Sequence, residues 1–124
     1  MLVRYGFYRG TVPPLKREEF DRYFDEVIMP EIAKFPGLAA CRLLRAREPE
    51  GLTSDMHHAI ELTFDNVDDL NHALASPERR HVVELQSRII HLFSGATPHL
   101  NFEVIKSTRY ARPDPKGEGG ASGA

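Results

Sequence analysis

Histidines are the side chains of this chain best suited to proton transfer, and the sequence contains six of them. Successive side chains of a strand point to opposite faces, so the adjacent pair His57 and His58 cannot grip one ion from a regular strand. No two histidines stand four residues apart, and Cys41, the single cysteine, joins none of them at a ligand spacing. The pattern therefore predicts no metal site, and we expect no cofactor.

Two of the histidines are candidates for a general base. His58 is expected on the strand face that carries Ile60 and Leu62, towards the helices, where an imidazole can take a proton from a phenol or an activated methylene. His81 falls in the first turns of a predicted helix, beside its apolar stripe and within reach of a pocket mouth. Each also has a structural interpretation, a hydrogen-bonded strand-end residue for His58 and a solvated helix residue for His81. His57 is expected at a subunit interface, and the remaining three are expected at the surface or at helix ends (His72, His91 and His99).

Tyrosines and phenylalanines supply the other candidate site residues. Tyr5 or Tyr23 can place a hydroxyl at the end of a large apolar ring, where it would hold a carbonyl oxygen while a histidine moves the proton. The alternative is that both rings fill the core. A second group is expected in the core, where its members can line an apolar cavity for a substrate: Phe7, Phe24, Ile28 and Phe102.

The hydrophobic pattern predicts the elements that position these side chains. Strands are predicted over 2–8, 38–47, 56–64 and 100–107, and a helix over 16–34 that Pro30 bends. A second helical segment between the last two strands is predicted to break at Pro77, which follows the natural cap Ser76. The order βαββαβ predicts an α+β, ferredoxin-like split βαβ fold, with a four-stranded antiparallel sheet and helices on one face. The domain is predicted over 1–109, and 110–124 is predicted to be a disordered tail.

Composition excludes several classes of partner. The chain has 124 residues and a formal charge of −2 with acids and bases interspersed, so it lacks the basic stripe of a nucleic-acid-binding protein. It has no long apolar run and no apolar stretch typical of a signal peptide at its start. We therefore expect a cytoplasmic protein with no nucleic acid or membrane partner.

Three segments resemble the dimeric α+β barrel superfamily, and its EthD-like branch in particular. They are Phe35–Leu38 at a helix-to-strand corner, Glu61–Leu70 across a strand and the next helix start, and Leu74–Glu78, which is similar to a Leu-Ala-Ser-Pro-Glu stretch of that branch. The resemblance implies a homodimer and a small-molecule ligand held between the helices and the sheet. It departs from the family at Ile28, where EthD-like proteins often have a histidine, and in the absence of tryptophan, which haem-degrading and quinol-oxidising members typically use. Arg79 falls nearest to the histidine of the cyclase-like members, and His81 stands two residues further on.

One face of the predicted sheet is left without helices. It is expected to mix apolar residues with charges (Ala59, Thr63 and Ile105 with Arg4, Glu61 and Glu103), and packing two such faces together would cover it in a homodimer. Two functions remain open. The first is a cofactor-independent monooxygenase, isomerase or cyclase that acts on a small aromatic or polyketide-like molecule. The second is a non-catalytic small-molecule-binding or accessory dimer, which a core without a ring-sized cavity would favour.

Overall fold

The computed structural model describes residues 1–47 and 55–110. Its strands are β1 (Leu2–Thr11), β2 (Leu38–Arg45), β3 (Met56–Phe64), β4 (Ser94–Ala96) and β5 (His99–Glu103), and its α-helices are α1 (Arg17–Tyr23), α2 (Met29–Ile32), α3 (Val67–Leu74) and α4 (Pro77–Ser87). Short 3-10 turns cover Pro14–Lys16 and Ile90–Leu92. No helix of this part of the chain is both long and apolar enough to span a membrane. The segment Glu48-Pro49-Glu50-Gly51, whose composition predicts a turn, and the predicted tail from 111 onward lie outside the described residues.

The strands form one antiparallel sheet in the order β2–β3–β1, with β5 and the short β4 both pairing with β1. This is the strand arrangement of the predicted ferredoxin-like fold, which is confirmed. An additional short strand that the sequence does not predict, β4, precedes Pro98, which has no N–H to donate to a ladder. The final strand is β5, which begins one residue before the predicted 100–107. β5 ends earlier than the predicted strand because its partner β1 begins at Leu2. The last hydrogen bond between the two segments runs from the Val104 N–H to the Met1 carbonyl.

The first helical segment is interrupted where Pro30 predicts it. A π-helical turn at Phe24–Ile28 separates α1 from α2, in which Pro30 lies in the first turn. Because Pro30 has no N–H, the regular bond to the preceding turn cannot form, and the wider turn accommodates the ring. The inward side chains continue through the interruption, so that Phe20, Phe24 and Ile28 are fully buried against the sheet.

Pairing between β1 and β3 decides which side chains of β1 face the helices. Tyr8 lies opposite His58 and Arg4 opposite Leu62, so the alternate residues of β1 that include Arg4, Gly6 and Tyr8 face inward. The other set, with Tyr5 and Phe7, lies on the open face of the sheet.

This register corrects the face predicted for four residues. Arg4 and Glu103, expected on the open face, lie at inward positions of the ladder between β1 and β5. Phe7 and Phe102, expected in the core, lie on the open face, where the Phe102 side chain is 45% exposed. Hydrophobicity predicts the wrong inward face for β1, because the more apolar of its two sets of alternating side chains faces away from the helices.

Candidate functional site

A cleft of about 90 Å³ opens between the sheet and the helices α2, α3 and α4. Its apolar wall comes from both layers: Ile32, Phe35, Ile60, Leu62, Leu74, Val82 and Val83. Its polar groups are Arg4, Tyr8, Arg79, Gln86 and His99. A small apolar cavity with a few polar groups is the usual form of a small-molecule site. The volume is below that of the roughly 150 Å³ cavity that is known to hold a benzene ring, so an aromatic ligand would extend from the cleft into its open mouth.

Positive charge dominates the polar side of the cleft. None of the described side chains that line it is acidic, whereas Arg4 and Arg79 both are cationic. The Arg4 guanidinium donates to Oδ1 of Asn101 at 3.0 Å, and burial, followed by repulsion from Arg79, lowers its pKa. Two guanidinium groups without a carboxylate between them favour an anionic ligand, because an anion supplies the missing countercharge.

His99 is the titratable group of the cleft that can exchange protons near neutral pH. Partial burial, followed by the charges of Arg4 and Arg79, lowers the pKa of the imidazole from its ordinary value. His99 is therefore neutral at pH 7 and able to accept a proton. The ring lies against the backbone of β1, where a Cβ at Gly6 would stand 3.3 Å from its Cδ2 and Nε2 atoms. Glycine at position 6 thus provides the space in which this imidazole faces the cleft.

The Ser76 cap positions the helix that carries Arg79. The Ser76 hydroxyl oxygen accepts from the Arg79 N–H at 3.1 Å and donates to the Ala73 carbonyl at 2.6 Å, at the junction of α3 and α4. Ser76 is buried and Pro77 occupies the first turn of α4, as the sequence predicts. The Arg79 side chain also reaches back to the Leu74 carbonyl at 3.5 Å, a long contact that leaves most of its donors for a ligand.

Tyr8 forms the inner wall of the cleft. Its hydroxyl donates to Oε1 of Gln86 at 2.7 Å, and burial raises the pKa of the phenol, which stays protonated. The other side of the ring packs edge-on against His58, with ring centroids 4.6 Å apart. His58 therefore lies behind Tyr8 and is not among the residues that line the cleft.

A second cluster of titratable groups lies behind that wall, and it contains Asp21, His57 and His58. The register between β1 and β3 shifts here, since Tyr8 faces His58 while Arg9 faces Met56 and leaves His57 as the extra residue of a β-bulge. The bulge breaks the alternation of side chains, so His57 lies beside Phe20 and Asp21 and not at the sheet face predicted for it. The expectation that the two histidines diverge is wrong for this reason.

His58 is enclosed by aromatic rings. It is 2% exposed and contacts Tyr8, Phe20 and Phe24. Burial, followed by the nearby His57, lowers its pKa to about 3, so the ring is neutral. Its Nε2 atom is buried and has no hydrogen-bond partner among the described residues.

The remaining predicted site residues are spread over the molecule. His81 is exposed on α4, with Nε2 3.7 Å from Glu31 and Nδ1 3.9 Å from Glu84.

The predicted aromatic and aliphatic site residues lie apart from one another. Tyr5 donates to Glu61 at 2.6 Å on the open face and stacks with Phe7, with Phe102 edge-on to it. Tyr23 donates to the Leu85 carbonyl at 2.7 Å. Phe24 and Ile28 are fully buried in the core. The structure thus does not bring His58, His81 and Tyr5 together.

Sequence reasoning missed Arg4 and His99 as cleft residues. An arginine on the inward-facing set of a strand, with glycine two residues later, is the signal that could have identified Arg4. No comparable signal exists for His99, because its position depends on where β5 begins and pairs with β1.

Comparison with known proteins identifies solved structures that have the same fold. No family model matches the chain, and no curated protein matches it. Similar solved structures include an EthD family protein from Bacillus halodurans, with 19% identity, a TM-score of 0.66, and coverage of 85% of this chain and 99% of that one. SnoaB, a cofactor-independent oxygenase from Streptomyces nogalater, has 19% identity, a TM-score of 0.60, and coverage of 86% and 94%. A dimeric protein of unknown function from Bacteroides fragilis has 16% identity, a TM-score of 0.62, and coverage of 83% and 95%. The chain therefore has the ferredoxin-like fold that the EthD and dimeric α+β barrel proteins share, as the sequence resemblance implies.

Proposed function

We propose that the cleft binds a small aromatic or polyketide-like molecule as its anion, and that neutral His99 removes the proton that creates the anion. The observation that carries this proposal is the cationic pair Arg4 and Arg79, which lines a small, largely apolar cleft beside a neutral imidazole with no acid among the lining side chains. An acidic phenol or enol matches both the shape and the charge of such a cleft.

The proposed chemistry is proton abstraction without a cofactor. His99 accepts a proton from a ring hydroxyl or an activated C–H, and the guanidinium groups stabilise the negative charge that develops on oxygen. The electron-rich anion then has three outcomes: reaction with O₂, attack on a carbonyl of the same molecule, or reprotonation at another carbon. These correspond to a monooxygenase, a cyclase and an isomerase. SnoaB, described as a cofactor-independent oxygenase, supports the first outcome for this fold.

The proposed active form is a homodimer assembled through the open sheet face. Two apolar side chains of β5 are exposed there, Leu100 at 49% and Phe102 at 45%. They adjoin the ring cluster of Tyr5 and Phe7, and covering such a patch stabilises association. The Bacteroides fragilis neighbour, described as dimeric, supports this assembly.

A non-catalytic binding protein is the second candidate. It is favoured by one observation: among the lining side chains, His99 alone titrates near neutral pH, while the phenol of Tyr8 has a raised pKa. A site with a single proton acceptor and two fixed cations can hold an anion without transforming it.

Replacement of Arg79 tests the proposed ligand class. For aromatic carboxylates and acidic phenols that raise the melting temperature, we expect Arg79→Gln to weaken binding about 10-fold or more, because a charge-assisted contact is lost. Neutral analogues of the same shape should lose little. The measurement is calorimetric titration of each pair of ligands with both proteins.

Arg80→Gln is the matched control, since Arg80 is the neighbouring arginine, is exposed, and donates to the Ala75 carbonyl at 3.2 Å. Equal losses for charged and neutral ligands, or equal losses in both variants, would contradict an anion site at Arg79.

A further inference from the structure

The β-bulge brings three potential metal ligands to one point of the fold. One donor atom from each of Asp21, His57 and His58 lies within 4.8 Å of the others, and Nε2 of His57 is 2.7 Å from Oδ1 of Asp21. Donors around one zinc-sized ion stand roughly 3 to 3.5 Å apart, as bond lengths of about 2.0–2.2 Å require. Side-chain rotations that move the donor atoms by about an ångström would therefore bring all three within bonding distance of one ion.

An unpartnered atom inside the cluster points independently to a ligand. Nε2 of His58 is buried and unpaired among the described residues, in a side chain that is 2% exposed. Buried polar atoms are nearly always satisfied, and in the tautomer protonated at Nδ1 this nitrogen has a free lone pair. A metal ion is a partner that satisfies this atom without adding volume comparable to a side chain.

The surroundings fit an ion in this position. Arg45 donates to Oδ2 of Asp21 at 2.8 Å, which orients the carboxylate and leaves Oδ1 directed at His57. Asp21 also lines an open groove between α1 and β2, which connects its carboxylate to solvent and is lined by charges of both signs (Glu18, Asp25 and Glu26 with Arg17, Arg22 and Arg45). Phe20 and Phe93 pack beside His57 and shield the opposite side.

We propose that Asp21, His57 and His58 form a binding site for a divalent transition-metal ion of the zinc type, which ties α1 to β3. Two imidazoles and one carboxylate are a donor set that such ions prefer, and they leave a fourth position for water. The ion takes the place of the hydrogen bond between His57 and Asp21, with the imidazole bound through Nε2 and its proton on Nδ1. Tyr8 separates this site from the cleft, so the metal has a structural role, and the proposal is independent of the proposed function.

Metal titration of the chelator-treated, tag-free protein tests the site. We expect one equivalent of Zn²⁺ to bind and to raise the melting temperature, and Co²⁺ to bind with the visible spectrum of a four-coordinate nitrogen–oxygen site. Asp21→Asn and His57→Gln should each weaken Zn²⁺ binding about 100-fold or more. Both residues are partly exposed, so these variants are expected to fold even if a variant of the buried His58 does not.

His81→Gln is the matched control, because His81 is a histidine with two glutamates nearby but lies outside the cluster. Its metal affinity should equal that of the unaltered chain. Absence of stoichiometric Zn²⁺ and Co²⁺ binding by the folded protein would overturn the proposal, as would binding that Asp21→Asn and His57→Gln leave unchanged.

Discussion

Replacement of His99 by glutamine is expected to lower kcat/KM about 10²- to 10⁴-fold on any substrate that the protein converts, with a much smaller change in ligand affinity. General-base catalysis contributes a factor of this size, and glutamine preserves polar contact while it cannot accept the proton at neutral pH. The loss should appear in kcat, because the apolar wall and the two arginines that bind the ligand are unaltered. Steady-state kinetics with the ligands identified by thermal shift provide the measurement.

The pH profile tests whether His99 is the base. The imidazole acts when neutral, so activity falls as the pH drops through the pKa of His99. Because partial burial and the two arginines lower that pKa below its ordinary value of 6.5, activity should persist below pH 6.5 before it declines.

Variants of the two other candidate bases provide the comparison. If His81→Gln or His58→Gln abolished turnover while His99→Gln retained it, the base would be one of the residues first predicted and not His99. His58 is enclosed by Phe20 and Phe24, so the core would have to open before this ring could contact a substrate. His81 is exposed on α4, so it could act only on a ligand that extends out of the cleft. Turnover unaffected by all three variants would contradict proton abstraction by histidine altogether.

Replacement of Phe102 by arginine should dissociate the proposed homodimer. Burying an aromatic side chain at an interface is worth about 2 kcal/mol or more, and a twofold interface contains the residue twice. We therefore expect the dissociation constant to rise about 10³-fold. Two arginines brought face to face would add repulsion. Sedimentation velocity across a concentration series gives the dissociation constant for both proteins.

Leu15→Arg is the control, since Leu15 is 97% exposed in the 3-10 turn before α1, away from the sheet face. It adds the same charge and should leave the association unchanged. Phe102 contacts Tyr5 on the surface of the sheet and not the core, so the variant should keep its secondary structure by circular dichroism. A monomeric unaltered protein, or a dimer that Phe102→Arg does not weaken, would contradict assembly through this face.

Much of the fold follows from short-range sequence patterns. The boundaries of β3 match the prediction, the helical segment breaks at Pro77 as its cap and proline indicate, and Pro30 interrupts the first helix. These features depend on local periodicity and on prolines and caps, which act within one or two turns of chain.

The site depends on long-range pairing, and this is where sequence reasoning fails. Whether Arg4 or Tyr5 faces the helices depends on its partner on β3, sixty residues or so away in the chain, and a shift of one residue exchanges the two faces. His57 lies beside His58 only because of a bulge that strand alternation cannot predict. The position of His99 over Gly6 likewise depends on the pairing of β5 with β1.

The most direct test of the proposed anion site is the ionisation of a bound nitrophenol, whose phenolate is coloured and whose phenol is not. Titrating its absorbance against pH, free and in the presence of saturating protein, measures the pKa of the ligand in the cleft. We predict that the pKa falls on binding, because Arg4 and Arg79 favour the phenolate, and that Arg79→Gln removes most of the fall. A bound pKa equal to or above that of the free ligand would show that the cleft does not stabilise an anion, and would contradict the proposed function.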